Sequence, residues 1–353
     1  MQPKRNRLPK RFIVCNIAEV ILKKYVCILL AMVLVIGTSL LCCACNKDDN
    51  VIRLTEVTHS LFYTPQYVAM SLGYFEDEGL TVELSNGSGA DNVMTALLTK
   101  EADMGLMGCE ANVYVYLQGK KDYPKVVGQL TKRDGSFLLS REKDGFDYKN
   151  IKGKTVLMGR KGGMPAMILQ YVLEKNGLVA GRDYTADYSI QFGALAPAFT
   201  GGTGDFVPLF EPTASQMELE NKGYIVSSIG MDSGEIPYTC YTATDEFLKN
   251  NKEKTTAFLR AVWRGTEFAL SHTPEEVAQA VALHFDGTPT ELLVKSIANY
   301  QKCDVWTTTP VLNKDAYTRL LDVMENAGEL QKRVDYDIIT DNDCALEVEK
   351  SLK

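Results

Sequence analysis

Two short stretches of the sequence decide the fold: ADMGLMGCE at residues 102–110 and GDFVPLFE at residues 204–211. In each stretch a small residue and an aspartate open a short apolar run, and a glutamate follows just beyond it. Chance similarity is the alternative, but both stretches follow a strand-and-helix pattern, which favours a duplication. Because ligands of open α/β sheets lie beyond the carboxyl ends of the strands, this echo predicts two similar lobes facing one cleft.

Outward from these stretches, β-like runs alternate with helical patterns. The predicted strands are 51–57, 81–84, 103–107, 155–158, 188–192 and 206–210. The predicted helices between them are 66–78, 90–100, 165–175 and 194–199, and the chain is mainly helical from residue 244 onward. Strands interleaved with helices are typical of βαβ units, so we predict an α/β protein with mostly parallel sheets.

Composition and charge exclude several classes of protein. The 353 residues are 45% hydrophobic and 24% charged, which is typical of a globular chain long enough for two domains. Beyond residue 44 there are 31 basic and 44 acidic residues, a net charge of −13. Because nucleic-acid binding needs a basic face, so acidic a body argues against a nucleic-acid partner.

The amino-terminal segment is typical of an export signal. Seven basic residues lie within residues 1–44, and the apolar run YVCILLAMVLVIGTSLL at 25–41 leads into Cys42-Cys43-Ala44-Cys45. This ending resembles a bacterial lipobox, with Cys45 as the lipidated residue after the small Ala44; Cys42 and Cys43 remain alternatives. We therefore assign 1–44 to a lipoprotein signal peptide and 45–50 to a tether. An uncleaved membrane anchor is the other interpretation.

The remaining cysteines and the histidines give no metal-site pattern. Cys109, Cys240, Cys303 and Cys344 show no CxxC spacing, and His59, His272 and His284 are far apart. We expect neither a metal nor another cofactor. Whether the four cysteines form disulfides or remain buried thiols is left open by the sequence.

The first candidate ligand contacts follow the first predicted strand. His59, Phe62 and Tyr63 lie where the chain leaves the sheet and turns at Pro65. A tyrosine offers a rigid face and a polar tip, so this turn predicts stacking on a flat ring. The alternative is that Phe62 packs in the core beneath the next helix.

A second group of candidates precedes the helix predicted at 90–100. Backbone N–H groups at the start of a helix favour an acceptor or an anion, so Gly89 and Asp91 are candidates. The structural alternative is that Gly89 permits a tight turn and Asp91 caps the helix.

The third group is the sequence RKGGMP at residues 160–165. Two glycines let the backbone approach a ligand, and the flanking basic residues favour a phosphate, sulfonate or carboxylate. Gly162, Gly163 and Met164 are therefore predicted contacts. An ordinary strand-to-helix turn has the same pattern.

Two carboxylates and two tyrosines complete the candidates. Glu110 and Glu211 end the echoed stretches, and Glu211 is predicted to accept hydrogen bonds from an amino group on a heterocycle. A carboxylate there disfavours a sulfonate. Alternatively, Glu211 caps the turn at Pro212. Tyr238 and Tyr241 are candidates to close over the ligand, or else they are buried in a hinge.

The sequence resembles the solute-binding proteins of ABC importers that take up nitrate, sulfonates, taurine and thiamine pyrimidine precursors. The matching segments, in order, are HSLFYTPQYVA at 59–69, LGYFEDEGL at 72–80, GAD at 89–91, ADMG at 102–105, IKGKTV at 151–156, GGM at 162–164 and DFVPLFEP at 205–212. This resemblance implies a type II periplasmic-binding-protein fold, with two α/β lobes joined by crossings near 136–140 and 236–242. Lobe 1 is then 51–137 plus 242–353, and lobe 2 is 138–241.

The same resemblance implies a function without covalent chemistry. The chain is expected to be a lipid-anchored, monomeric binding protein on the outer face of the cytoplasmic membrane. It would capture a small molecule, best matched by a thiamine pyrimidine precursor, and deliver it to an ABC permease with its ATPase. One alternative is an enzyme like the fungal thiamine pyrimidine synthase, whose cysteine-rich motif the body of this chain lacks. The other is a ligand-sensing module for a membrane receptor.

Overall fold

The computed structural model describes residues 50–351. Residues Asn50–Lys353 form one compact unit. The predicted signal peptide and Cys45 lie outside the described residues. Within the described residues, no helix is both long enough and apolar enough to cross a membrane.

Ten strands form two sheets in the described part of the chain. They are β1 (Val51–Glu56), β2 (Thr81–Asn86), β3 (Met104–Met107), β4 (Lys125–Thr131), β5 (Phe137–Ser140), β6 (Thr155–Leu157), β7 (Thr185–Asp187), β8 (Phe206–Leu209), β9 (Tyr224–Ser228) and β10 (Thr239–Ala243). The first sheet has the order β2-β1-β3-β10-β4 and the second the order β7-β6-β8-β5-β9. These two five-stranded sheets confirm the predicted α/β fold class.

Each sheet contains one strand that runs against the others. In the first sheet β10 is antiparallel to both β3 and β4, and in the second β5 is antiparallel to both β8 and β9. Each of these strands is the first one formed after the chain passes from the other sheet. The sheets are therefore mixed, with four of five strands running the same way.

The two echoed stretches occupy equivalent places. They form β3 and β8, which are buried along their whole length because both faces of each sheet are covered. The Asp103 carboxylate accepts a hydrogen bond from the backbone N–H of Arg53 at 2.9 Å. The Asp205 carboxylate accepts one from the backbone N–H of Thr155 at 2.8 Å. Asp103 thus links β3 to β1, and Asp205 links β8 to β6, so the two aspartates have equivalent roles in their sheets.

Fifteen α-helices surround the sheets in residues 50–351. They are α1 (Thr64–Ser71), α2 (Tyr74–Asp77), α3 (Ala90–Leu98), α4 (Glu110–Leu117), α5 (Met164–Lys175), α6 (Leu195–Thr200), α7 (Thr213–Leu219), α8 (Ile229–Ser233), α9 (Asp245–Asn250), α10 (Lys252–Ser271), α11 (Pro274–Val281), α12 (Thr290–Lys302), α13 (Lys314–Asn326), α14 (Tyr336–Ile339) and α15 (Asp343–Ser351). One connected hydrophobic core includes residues of both sheets, such as Leu54 and Val207.

Two sequence predictions of local structure were wrong. The helix predicted at 66–78 is interrupted at Gly73, so α1 and α2 are separate helices. Gly73 has a φ of 73°, which glycine adopts at little steric cost because it has no Cβ atom. The strand predicted at 188–192 lies earlier, at β7, where it pairs in parallel with β6. Beyond β7 the Asp187 carboxylate accepts hydrogen bonds from the backbone N–H and hydroxyl of Ser189, which turns the chain away from the sheet.

The chain passes between the sheets twice. It leaves the first sheet after Thr131 and enters the second at Phe137, then leaves the second after Ser228 and returns at Thr239. The two connections touch, since the Ile236 N–H donates to the carbonyl of Lys132 at 2.9 Å. The lobe boundaries predicted at 137/138 and 241/242 therefore fall inside β5 and β10. That the two lobes move separately stays a prediction.

Candidate functional site

A cavity of about 520 Å³ is lined by residues that follow strands of both sheets. Nine of the predicted contacts line it: His59, Phe62, Tyr63, Gly89, Glu110, Gly163, Met164, Glu211 and Tyr238. Asp91, Gly162 and Tyr241 are not among its lining residues. The carboxyl ends of β3 and β8 lead directly into it, as expected for a ligand site in an open α/β sheet.

The first turn presents its aromatic rings from a fixed backbone. Phe62 and Tyr63 lie in a 3₁₀ turn over Leu61–Tyr63, and the Ser60 hydroxyl caps this turn by accepting a hydrogen bond from the Phe62 N–H. The indole N–H of Trp306 donates to the carbonyl of Phe62 at 3.0 Å. Phe62 is therefore both a cavity residue and a core residue, so the two interpretations of its role are not exclusive.

Five rings form what we call the aromatic wall: Phe62, Tyr63, Phe192, Phe210 and Tyr238. Phe62 lies edge-on to Phe210 and to Tyr238, at centroid distances of 5.4 and 5.5 Å. Phe210 also lies edge-on to Phe192 at 5.5 Å. Such pairs favour a fixed arrangement, so the wall offers a preformed apolar surface to a flat ligand.

Both ring nitrogens of His59 are already engaged. Nδ1 lies 3.1 Å from Oε1 of Glu56, and Nε2 lies 2.6 Å from the carbonyl oxygen of His284. Nδ1 also lies 3.0 Å from the Tyr67 hydroxyl, and the hydrogen bond to Glu56 raises the pKa of His59. His59 can thus offer a ligand its ring edge or face, while its nitrogens hold the loop in place.

The glycine-rich turn before α5 lies only partly in the cavity. Gly163 and Met164 line it, whereas Gly162, with φ of 73°, faces Glu329. Arg160 lines the cavity but pairs with Asp91 at 2.5 Å. The predicted capping of α3 by Asp91 is absent, because this carboxylate reaches across to the arginine instead. Much of the positive charge expected for an anion site is therefore neutralised.

The Glu211 carboxylate is fully occupied by protein donors. It accepts hydrogen bonds from the Ser215 backbone N–H at 2.9 Å, the Ser215 hydroxyl at 2.7 Å and the Asn299 amide at 2.6 Å. The Ser296 hydroxyl lies 3.3 Å from Oε2, with its proton shared with the closer Leu292 carbonyl at 2.7 Å. The expectation that Glu211 keeps a free oxygen for a ligand amino group therefore disagrees with this geometry. Its side chain stabilises the start of α7 and the contact with α12.

Three polar atoms of cavity residues are buried without a hydrogen-bond partner: Glu110 Oε2, the Tyr238 hydroxyl and the Thr239 hydroxyl. Unpaired buried polar atoms are costly, so such a cluster beside a cavity marks a place where an outside group can bond. Burial raises the pKa of Glu110 to about 7.

Tyr241 lies away from the cavity, in the core of the first sheet. Its hydroxyl donates to the Gln66 side chain at 3.0 Å, and its ring packs edge-on against Phe258. The alternative of burial therefore applies to Tyr241, while Tyr238 lines the cavity. Tyr238 lies just before β10, whereas Tyr241 lies within it, between β3 and β4.

Sequence reasoning missed Phe192, Phe210 and Thr239 as cavity residues. Phe210 follows the echoed strand β8, so its position next to Glu211 was a usable signal. The sequence predicted Phe192 to lie within a strand at 188–192, but the strand is β7, which ends before it. The prediction therefore did not identify Phe192 as a residue of the cleft. Thr239 carries no sequence signal, because its role depends on where β10 returns to the first sheet.

The four described cysteines are free and buried. Among residues 50–351 no group of three or more histidine, cysteine or carboxylate side chains is placed to hold a metal ion.

Comparison with known proteins places the chain in a family. The family described as "NMT1/THI5 like" matches residues 62–277. YtlA of Bacillus subtilis (strain 168), which bears the name of a binding protein, is 38% identical over 308 residues, covering 86% of this chain and 92% of its own.

Two further matches show how widely this fold is used. The 4-amino-5-hydroxymethyl-2-methylpyrimidine phosphate synthase of Aspergillus parasiticus is 26% identical, over 64% of this chain and 68% of its own. The solved structure of the periplasmic nitrate-binding protein NrtA from Synechocystis PCC 6803 is 16% identical, covers 86% of this chain and 89% of its own, and has a TM-score of 0.70. The cavity, the two mixed sheets and these matches lead to one conclusion: the chain belongs to the NMT1/THI5-like family.

Proposed function

We propose that this protein is the extracytoplasmic substrate-binding protein of an ABC importer. It captures a small flat polar molecule and delivers it to a membrane permease with its ATPase. The observation that carries the proposal is the cavity lined from both sheets, with the aromatic wall and a few unpaired polar atoms. Pockets that bind small molecules commonly combine a mostly apolar lining with a few placed polar groups.

Closure around the ligand is the proposed mechanism of capture. Two connections, 132–136 and 229–238, join the sheets, and hydrogen bonds cross the cleft. Among them, the Tyr114 hydroxyl donates to the Gly162 carbonyl at 3.2 Å, and Arg160 pairs with Asp91. A ligand bound in the cavity would contact both sides and so stabilise the closed arrangement.

The preferred ligand is an amino-bearing heterocycle such as a thiamine pyrimidine precursor. The aromatic wall suits stacking on a planar ring, and the neutralisation of Arg160 by Asp91 weakens the case for nitrate or a sulfonate. The names of YtlA and NrtA support a binding protein. The similarity to the fungal synthase keeps an enzyme on the same fold as the alternative, distinguished by product formation without a transporter.

A thermal-shift screen of residues 46–353 tests the binding function. The panel is aminopyrimidines, thiamine, riboflavin, taurine, alkanesulfonates and nitrate. A ligand at about 100 times its dissociation constant should add about 2.7 kcal/mol to the free energy of unfolding, which shifts the melting temperature by a few degrees. Turnover of a panel member, rather than stoichiometric binding, would contradict the transport role. Co-purification with a signalling receptor instead of a permease and ATPase would favour the sensor.

The lipid anchor is a separate part of the proposal. Lipidation at Cys45 would tether a monomeric body to the outer face of the cytoplasmic membrane. Cys45→Ser should release the full-length protein from the membrane fraction, while Cys42→Ser and Cys43→Ser should leave it there. Mass spectrometry of the mature amino terminus identifies the modified cysteine, and membrane retention of all three variants would contradict lipidation at any of them.

A further inference from the structure

The Glu110 side chain occupies an unusual position beside the cavity. It is the first residue of α4, directly beyond β3, and is 3% exposed. Its carboxylate folds back onto the backbone, so that a Cβ atom placed on Gly108 would lie 2.0 Å from Oε2. Gly108 is thus required for this placement, and Oε2 has no hydrogen-bond partner among residues 50–351.

No described cation is committed to this carboxylate. The charged and titratable groups that act on it electrostatically are Asp91, Cys109, Arg160, Tyr63, Tyr114 and Tyr238. Arg160 is paired with Asp91, and the Tyr114 hydroxyl donates to the carbonyl of Gly162. The backbone N–H groups of Glu110 and Ala111 also act on the carboxylate and lower its pKa, but Oε2 has no hydrogen bond to either. A donor for Oε2 therefore has to come from outside the described residues.

Glu110 also lies between two cavities and lines both of them. A second cavity of about 600 Å³, open toward α3, α4 and Glu329, shares Ala90, Glu110 and Arg160 with the first. The Asp91–Arg160 ion pair borders the second cavity. Oε2 is shielded from solvent in this structure, so a partner for it has to be enclosed together with it.

We propose that Glu110 is a specificity-determining residue that accepts a hydrogen bond from an N–H group of a flat heteroaromatic ligand held against the aromatic wall. The proposal rests on the binding function proposed above and assigns to Glu110 the role that sequence reasoning gave to Glu211. A ligand N–H, neutral or protonated, satisfies an acceptor that is otherwise unpaired. An analogue without the N–H leaves the carboxylate buried and unsatisfied, which is the arrangement that gives strong discrimination.

Isothermal titration calorimetry with two matched probes tests this proposal. The probes are 4-amino-5-hydroxymethyl-2-methylpyrimidine and 5-hydroxymethyl-2,4-dimethylpyrimidine, which differ by an amino group against a methyl group. Titrations are done at pH 8, because burial raises the pKa of Glu110 to about 7 and only the ionised carboxylate offers both oxygens as acceptors. We expect the wild type to bind the amino probe at least about 100-fold more tightly than the methyl probe.

The variants separate recognition from structure. Glu110→Gln should reduce the preference for the amino probe by at least about tenfold, because one acceptor oxygen becomes an NH₂ group. Asp134→Asn is the control for loss of a buried carboxyl with an unpaired oxygen: Asp134 lies in the 132–136 connection and lines neither cavity, so any effect on closure should change the affinities for both probes alike. It should keep the wild-type preference.

Three results would overturn the proposal: equal affinities for the two probes, an unchanged preference in Glu110→Gln, or no binding of either probe by folded protein. Taurine and nitrate are titrated in parallel. Tight binding of either anion without binding of the amino probe would also overturn the role of Glu110, while leaving the function as a binding protein intact.

Discussion

Glu110 and Glu211 follow equivalent strands, yet their surroundings differ. Both are buried, at 3% and 1% exposure, and both lie where a central strand of a sheet meets the cavity. The Glu211 carboxylate accepts three hydrogen bonds from Ser215 and Asn299, and the Ser296 hydroxyl of α12 lies 3.3 Å away. Glu110 has one oxygen without any partner.

The difference comes from the helical carboxyl-terminal part of the chain. α12 contacts α7 and brings Ser296 and Asn299 to the second sheet, and no described element brings an equivalent pair of donors to the first. A satisfied carboxylate holds the fold together, whereas an unsatisfied one costs free energy until a ligand supplies the donor. Equivalent positions beyond β3 and β8 thus have different surroundings, and the proposal assigns binding to the one whose carboxylate is unsatisfied.

The largest expected effect is the loss of stability when the Glu211 carboxylate is removed. Glu211→Ala removes the acceptor for the two Ser215 donors and the Asn299 amide, so we expect a loss of about 2–4 kcal/mol in the free energy of unfolding. Urea unfolding followed by circular dichroism measures it. Glu110→Gln, as the matched variant, should cause no loss at pH 8, because it removes a charge that burial disfavours. Equal losses in both variants would contradict the structural role of Glu211.

A second effect is the dependence of stability on pH. Burial raises the pKa of Glu110 from 4.5 to about 7 in the folded protein, so the folded state binds the proton more tightly than the unfolded state. Stability must then fall as pH rises through the range from 4.5 to 7, by up to about 3 kcal/mol. Unfolding free energies between pH 5 and 8 test this, and Glu110→Gln should flatten the curve and be more stable than wild type at pH 8.

Asp134 gives this measurement an internal control. Burial raises its pKa from 3.8 to about 7, so it contributes a fall in stability of the same sign. Asp134→Asn should remove the contribution of Asp134 to the fall in unfolding free energy with pH and leave the contribution of Glu110. The double variant should remove both contributions. A slope that is unchanged in Glu110→Gln would show that this carboxyl is not perturbed by burial.

The smallest expected effect is a shift in the pKa of Glu110 when the Asp91–Arg160 ion pair across the cleft is changed. Arg160 lowers and Asp91 raises the pKa of Glu110 electrostatically. Arg160→Gln should therefore move the pH-dependent loss of stability upward by about half a pH unit, and Asp91→Asn should move it downward. Because Asp91 is largely exposed, with 78% of its side chain accessible, each change should cost less than about 0.5 kcal/mol. Shifts of the same sign in both variants would contradict the electrostatic assignment.

Much of the architecture could be predicted from local pattern. The alternation of strands and helices, and the echo around Asp103 and Asp205, place β3 and β8 at the cleft with their glutamates beyond them. Prediction failed where local signals compete: Gly73 divides one helical pattern into two helices, and Asp187 ends β7 before the apolar run at 188–192. The short strands β5 and β10 reverse direction only because the chain enters each sheet from the other one.

By itself the sequence determined the fold class, the family resemblance and the set of residues near strand ends, because these depend on periodicity, turn residues and order along the chain. Which carboxylate remains unpaired was decided only by the tertiary structure. Ser296 and Asn299 are more than eighty residues from Glu211 in sequence, and only folding brings them within hydrogen-bonding distance. Hydrogen bonding acts over about 3 Å, a scale that sequence spacing does not encode.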